Sequence, residues 1–148
     1  MNAFAAANSY QKVGIESAVA GANPHELIAM LLQGALMAIA DAKYQMAHRQ
    51  MGDKGQSVSR AISIIGEGLH ASLNKEAGGE IAENLGKLYE YMVQRLVTAN
   101  LTNDPVILDE VSRHLGEIAS AWNAIRSEVT ATDAPGTPSS QRTVARVA

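Results

Sequence analysis

Glutamate and histidine side chains at helical spacing are the residues of this sequence that could bind a metal ion. A di-iron site in a four-helix bundle takes a glutamate from each of two helices and a Glu-x-x-His pair from each of the other two. Glu67 and His70 form one such pair, and the sequence contains no second one. Glu110 and His114 stand four residues apart, the usual spacing of an exposed helical pair. We therefore predict no metal site and no cofactor; a ferritin-like metalloenzyme is the alternative that metal analysis would test.

The sequence also lacks the common nucleophilic and phosphate-binding motifs. It has no cysteine, which excludes thiolate nucleophiles, disulfides and zinc sites that need sulfur. No serine stands in a Gly-x-Ser-x-Gly motif, and the glycines of 52–55 do not form a phosphate-binding loop. His25 stands in the first turn of a predicted helix, where a capping or surface role is expected. We predict no catalytic residue and no enzymatic activity.

Length and charge are those of a small, slightly acidic domain. The 148 residues have a mass of 15.6 kDa, which suits one compact domain. Hydrophobic residues make up 47% of the chain and charged residues 18%, so there is enough apolar material for a core. The net charge is −3, and the twelve basic residues are not concentrated on one predicted helix. This charge pattern argues against binding to nucleic acid or to an anionic membrane.

The first residues do not have the pattern of a secretory signal. Residues 1–7 contain no lysine or arginine and only a short apolar run, whereas such a signal needs a basic start and a longer apolar core. We also expect no membrane span, because no segment approaches the roughly 20 apolar residues that one requires. The expected location is the cytoplasm, without membrane insertion.

Apolar residues recur at helical spacing in four segments, each bounded by residues that start or stop helices. The first helix has the clearest start, because Asn23 can cap it, Pro24 suits its first turn and Glu26 completes a capping box. The predicted helices run from Pro24 to a turn at 52–55, over about 56–73, over about 80–100 after a break at Gly78 and Gly79, and from Pro105 to 129.

Short connections between helices of this length favour antiparallel neighbours. The predicted fold is all-α: an antiparallel four-helix bundle over residues 23–129. Residues 1–22 form a weakly helical segment that is too short to be stable alone, so we expect it to dock on the bundle. Residues 130–148 are rich in Thr, Ser, Pro and Gly and are predicted to be a disordered tail.

The predicted bundle carries more apolar residues than one core stripe per helix requires. In the first helix Met30, Met37 and Tyr44 are spaced by seven residues, so they lie on nearly the same face. Surplus stripes that contain methionine are typical of grooves for another apolar segment, because methionine adapts its shape easily. The residues that we predict to line such a groove are Met30, Met37, Ile64, Tyr89 and Val93.

Two other interpretations of these stripes stay open. The extra apolar residues could simply widen the core, or the protein could be a structural helical module that forms a stable oligomer through the same stripe. Light scattering would separate the second possibility from a binding groove, since a groove leaves a monomer or a weak homodimer.

At several points the sequence resembles the flagellin export chaperone family, FliS. No single motif is diagnostic, but their order and spacing together are specific, and they cover about residues 10–125. The matching segments are 10–18, 24–28, 30–31, 34–36, 54–55, 64–65, 78–82, 84–85, 88–89, 91–92, 95–96, 99–101, 103–104 and 121–122.

The resemblance implies a cytoplasmic chaperone that binds the disordered C-terminal segment of newly made flagellin. Members of the family prevent premature polymerisation of flagellin and help to deliver it to the flagellar type III export gate, where the partner is the cytoplasmic domain of FlhA. The sequence does not show whether other flagellar regulators bind to the same groove.

The resemblance also implies that the N-terminal segment covers part of the groove when no client is bound. In this sequence the covering residues would be Tyr10, Val13 and Ile15. A cover avoids exposure of a large apolar patch, and it must bind weakly because the client has to displace it. The expected mechanism is competitive displacement of this segment by the client.

Overall fold

A computed structural model describes residues 23–133 of the chain, with side chains for residues 23–125. All regular structure in this part is helical. The elements are α1 (Pro24–Ala47), α2 (Met51–Ser63), which continues directly as a π-helix (Ile64–His70), α3 (Lys75–Thr102) and α4 (Pro105–Asp133).

Polar contacts between neighbouring helices show that each pair is antiparallel. The Ser57 hydroxyl donates to Gln45 at 2.7 Å, so the end of α1 lies beside the start of α2. The indole N–H of Trp122 donates to the backbone oxygen of His25 at 2.8 Å, and this joins the end of α4 to the start of α1. Arg95 pairs with Glu110 between the last part of α3 and the start of α4. The predicted antiparallel four-helix bundle is confirmed.

The core is built from the inward-facing stripes of all four helices. Its largest fully buried side chains are Leu32, Val58, Ile65, Leu69, Met92, Leu96, Leu108, Val111 and Leu115. Small residues of α1, among them Ala35, Ala38 and Ala42, are also buried and leave room for the neighbouring helices.

The start of α1 follows the sequence prediction. The side chain of Asn23 accepts a hydrogen bond from the backbone N–H of Glu26 at 2.9 Å, and Pro24 occupies the first turn. Asn23 therefore satisfies one of the N–H groups that the first turn of a helix leaves without a partner.

The turn between α1 and α2 was predicted too late in the chain. It lies at residues 48–50, where Arg49 adopts a left-handed conformation with φ of 58°, and residues 52–55 belong to α2. The reason is Lys54, whose side chain is only 5% exposed. Its ammonium donates to the backbone oxygen of Asn100 at 3.0 Å and to the side chain of Asn103 at 2.8 Å, which requires α2 to be formed at this position.

The break predicted at Gly78 and Gly79 is a kink inside α3. Gly79 has φ of 56° and ψ of −130°, a conformation that favours glycine. A first turn precedes it from Lys75, capped by the side chain of Asn74. The helix therefore begins earlier than the sequence predicted.

The fourth helix is longer than predicted and includes residues 130–133, which we had assigned to the disordered tail. The remaining tail residues, 134–148, and the N-terminal segment 1–22 lie outside the described residues.

Among the described helices, α1 alone is long and apolar enough to cross a membrane by length and composition. This corrects the expectation that no segment approaches a membrane span. The core helix of a soluble protein passes the same test. Leu32, Ala35 and Ile39 of α1 are buried in the bundle, and 28% of the most apolar window of α1 is buried in all.

Candidate functional site

An open cleft of about 320 Å³ lies between the π-helix and α3. This volume is at the lower end of the range of about 300–1,000 Å³ for ligand pockets, which suits side chains of a bound segment better than a large cofactor. We call it the α2–α3 cleft, and it is lined by Gly66, His70, Tyr89, Glu90, Val93 and Gln94.

The α2–α3 cleft has an apolar floor and a polar rim. Tyr89 is 2% exposed and Val93 is half-buried, whereas Glu90 and Gln94 are exposed. Gly66 contributes space, because a Cβ atom at this position would point towards Val93 and lie 3.9 Å from its Cγ2. A floor of this kind can bind an apolar side chain while the rim remains in water.

The π-helix forms one wall of the cleft and is packed on both sides. Gly68 faces α1, where an added Cβ would lie 3.3 Å from a methyl group of Leu31, and Gly66 faces α3. The wider turn of a π-helix changes which residues face inward. In this register Ile64, Ile65 and Leu69 are all buried, and His70 reaches the rim of the cleft.

His70 and Glu90 join the two walls at the rim, with 3.0 Å between the His70 Nε2 and a carboxylate oxygen of Glu90. His70 belongs to the Glu-x-x-His pair that the sequence offered as a metal ligand, and its ring nitrogen is instead within hydrogen-bond distance of α3. In the described residues no group of three or more His, Asp or Glu side chains lies close enough to hold a metal ion.

Burial distinguishes Tyr89 from the other residues of the cleft. Loss of water around its phenol raises the pKa of Tyr89 from 10.0 to about 12, so its hydroxyl keeps its proton at neutral pH. Within the part of the chain described, that hydroxyl has no hydrogen-bond partner. The unpartnered polar side-chain atoms that are fully sealed from water in this part are His25 Nδ1 and Asn100 Oδ1. The Tyr89 hydroxyl therefore keeps contact with the cleft.

The opposite side of α3 carries a cluster of satisfied polar groups. The Tyr91 hydroxyl and the Arg95 guanidinium both donate to the carboxylate of Glu110 on α4, and His114 lies 3.8 Å from the same carboxylate. These two hydrogen bonds lower the pKa of Glu110 below its ordinary value of 4.5. Glu110 and His114 were expected to be an exposed pair. The structure shows them half-buried against α3, where they connect two helices.

The structure does not bring the five predicted groove residues together in one groove. Met30 and Met37 are 39% and 59% exposed on α1. Tyr89 and Val93 line the α2–α3 cleft. Ile64 is 4% exposed, packs against α1 near Gly34 and is not among the residues that line the α2–α3 cleft.

The covering residues Tyr10, Val13 and Ile15 lie outside the described residues. Sequence reasoning also missed four residues of the cleft: Gly66, His70, Glu90 and Gln94. The pair Gly66 and Gly68 inside a predicted helix was the available signal, because glycine at such positions permits close approach of neighbouring helices. The change from α- to π-helix has no comparable signal in the sequence.

Most of the chain is similar in sequence to known flagellar proteins. A model of the family described as "Flagellar protein FliS" matches residues 6–129. The chain is 50% identical over 125 residues to "Flagellar secretion chaperone FliSB" of Pseudomonas aeruginosa, which covers 84% of this chain and 98% of that protein. It is 47% identical over 117 residues to "Flagellar secretion chaperone FliS" of Salmonella typhimurium, covering 79% of this chain and 87% of that protein.

More distant relatives carry the same name. The chain is 36% identical over 114 residues to "Flagellar secretion chaperone FliS" of Bacillus subtilis, covering 76% of this chain and 84% of that protein. The similarity in each case extends over most of both chains, and the residues matched by the family model include the α2–α3 cleft.

Proposed function

This chain belongs to the FliS family of flagellar secretion chaperones, and we propose that it binds the C-terminal segment of newly made flagellin in the cytoplasm. Binding holds this segment away from other flagellin molecules and so prevents premature polymerisation. The loaded complex then delivers flagellin to the cytoplasmic domain of FlhA at the type III export gate. No enzymatic step and no cofactor is part of this proposal.

The observation that carries the proposal is the α2–α3 cleft. It is an open cleft with an apolar floor of Tyr89 and Val93 beside the packed core of the bundle. A disordered segment that folds on binding needs such a site, because buried apolar contacts have to offset the entropy it loses. The exposed side chains of Met30 and Met37 offer a second apolar contact on α1 for a longer client segment.

The N-terminal segment supplies the proposed cover. Tyr10, Val13 and Ile15 would occupy the client surface in the free protein, and the client would displace them. The net affinity for the client is then its own contact energy minus that of the cover. This requires a weak cover, which suits a segment too short to be stable alone.

Calorimetric titration of the full chain with the C-terminal segment of flagellin from the same organism tests the proposed function. We expect a one-to-one complex of the monomeric chaperone and a negative heat-capacity change, because apolar surface is buried. Absence of heat at several temperatures, together with absence of a complex in gel filtration, would overturn the proposal.

The cover is tested separately with Tyr10→Ala. Loss of a covering side chain removes a competitor, so we expect the affinity for the flagellin segment to change while the far-UV circular dichroism stays the same. If Tyr10→Ala unfolds the protein, Tyr10 is a core residue and the covering role is wrong.

A further inference from the structure

The hydroxyl of Tyr89 is a polar group in the α2–α3 cleft that has no hydrogen-bond partner among the described residues. Tyr89 is 98% buried, it lines the α2–α3 cleft, and its hydroxyl makes no hydrogen bond within the described residues. Buried hydroxyls are ordinarily hydrogen-bonded, to protein or to ordered water. When the cleft is open, water can serve this hydroxyl, and any segment that fills the cleft displaces that water.

A purely apolar occupant would leave this hydroxyl without a partner. Burying a hydroxyl without a hydrogen bond costs about 1–3 kcal/mol by protein mutational data. Conversely, an occupant that accepts a hydrogen bond from Tyr89 avoids this cost and gains a contact that an apolar competitor cannot make. The cleft therefore distinguishes between occupants that are similar in shape.

The charges around the cleft narrow the class of acceptor. Glu90 stands at the rim, so a carboxylate that entered the cleft would approach a like charge. Glu90 already lies 3.0 Å from His70 Nε2, so a cationic side chain would compete with His70 for Glu90 at the rim and leave the Tyr89 hydroxyl below it without an acceptor. The high pKa of Tyr89 keeps the phenol protonated and able to donate. An uncharged hydrogen-bond acceptor at the end of an apolar side chain therefore suits both the apolar floor and the acidic rim of the α2–α3 cleft.

We propose that the α2–α3 cleft receives a glutamine or asparagine side chain of the client segment, and that the Tyr89 hydroxyl donates a hydrogen bond to its amide oxygen. The amide N–H₂ group is then free to face Glu90 or Gln94 at the rim. Tyr89 is in this account a specificity-determining residue. The inference rests on the proposed function, since the client is the flagellin segment, and it names the side chain that enters the cleft.

The test compares Tyr89→Phe with the unchanged protein in calorimetric titration with a synthetic peptide of the flagellin C-terminal segment. Loss of one neutral hydrogen bond should weaken the affinity about five- to tenfold. The melting temperature of the free protein should stay the same or rise, because the hydroxyl has no partner to lose among the described residues. Tyr91→Phe is the matched control: its hydroxyl bonds Glu110 on α4, so its removal should lower stability and leave the affinity unchanged.

A second set of peptides identifies the acceptor. Each glutamine is replaced in turn by methionine and each asparagine by leucine, which keep a similar shape without the amide. One replacement should weaken binding to the unchanged protein about five- to tenfold and have no further effect with Tyr89→Phe.

The outcomes separate this inference from the proposed function. If the unchanged protein does not bind the peptide, the proposed function fails. If it binds and Tyr89→Phe binds equally well, the role of the hydroxyl is wrong although the proposed function stands. If Tyr89→Phe weakens binding and no amide replacement removes the difference, the assignment of a glutamine or asparagine side chain is overturned.

Discussion

The two sides of α3 carry tyrosines that are two residues apart in sequence and opposite in environment. Tyr91 faces α4 with its ring 43% exposed, and its hydroxyl bonds Glu110. Tyr89 faces the α2–α3 cleft, is almost completely buried, and has no partner for its hydroxyl within the described residues. Among the described residues, the Tyr91 hydroxyl on the α4 side of α3 is thus satisfied, and the Tyr89 hydroxyl on the cleft side is not. An interface that is complete in the free protein serves the fold, whereas an incomplete one has capacity for a partner.

The α2–α3 interface itself differs between its two ends. At one end Lys54 of α2 donates to Asn100 and Asn103 at the end of α3, so the helices are fixed together. At the other end position 66 is a glycine, which has no side chain, and this is where the α2–α3 cleft lies. The closed end holds the geometry of the open end, because it fixes where α2 lies along α3.

The largest effect is expected from breaking the closed end. Lys54→Met removes the ammonium and leaves the Asn100 carbonyl and the Asn103 side chain without their donor in a buried place. The free energy of unfolding should fall by about 2–4 kcal/mol, measured by urea denaturation. Lys43→Met is the control, because Lys43 pairs with Asp109 on the exposed surface, and it should change stability by less than about 0.5 kcal/mol. Equal effects of the two substitutions would show that the buried contact has no special weight.

The next largest effect is expected from filling the open end. Gly66→Leu places a side chain where a Cβ meets Val93 at an ordinary contact distance of 3.9 Å, so the cleft is occupied. We expect the dissociation constant for the flagellin peptide to rise at least about tenfold, equivalent to about 1.4 kcal/mol. Gly116→Leu on α4 has open space and should leave the affinity unchanged. Unaltered binding by Gly66→Leu would remove the cleft from the client surface.

A smaller effect is expected on the satisfied side of α3. Glu110→Gln removes the charge that accepts from both Tyr91 and Arg95. These groups are partly exposed, so the loss in unfolding free energy at neutral pH should be only about 1 kcal/mol. The affinity for the flagellin peptide should not change, and a clear loss of affinity at unchanged stability would place client contacts on this side as well.

The smallest effect is the pH dependence of the same contact. Hydrogen bonds from Tyr91 and Arg95 lower the pKa of Glu110 in the folded state below 4.5, so the stabilisation is complete above that value and is lost as the pH falls through the lowered pKa. The stability difference between the unchanged protein and Glu110→Gln should therefore be constant near neutral pH and shrink below about pH 4.5. A difference that stays constant from neutral pH down to acid unfolding would contradict this origin.

The fold could be predicted from the sequence largely because its signals are local. Asn23 and Pro24 mark the start of α1 by backbone chemistry that needs no other part of the chain. The turn after α1 was misplaced because Lys54 and its partners on α3 are 46 and 49 residues apart. The glycines of 52–55 predicted a turn at this position. The contacts of Lys54 with residues far along the chain instead hold this segment in α2.

The site could be predicted only in part for the same reason. Tyr89 and Val93 were predicted as surplus apolar residues of α3, but their environments differ, since Tyr89 is 2% exposed and Val93 is half-buried. Ile64 was predicted as a groove residue because its periodicity places it off the main stripe, and it is buried at the start of the π-helix. Contacts between helices decide which of these residues are buried, and they cannot be derived from the spacing of residues along one helix.

The most direct test of the account is a photo-crosslink from the rim of the α2–α3 cleft. A photoreactive amino acid in place of Gln94 should crosslink to the flagellin C-terminal segment in the complex, and the crosslink should disappear in Gly66→Leu. Arg113, exposed on α4, provides the comparison position. A complex that forms in gel filtration without any crosslink from position 94 would contradict the claim that the client occupies this cleft.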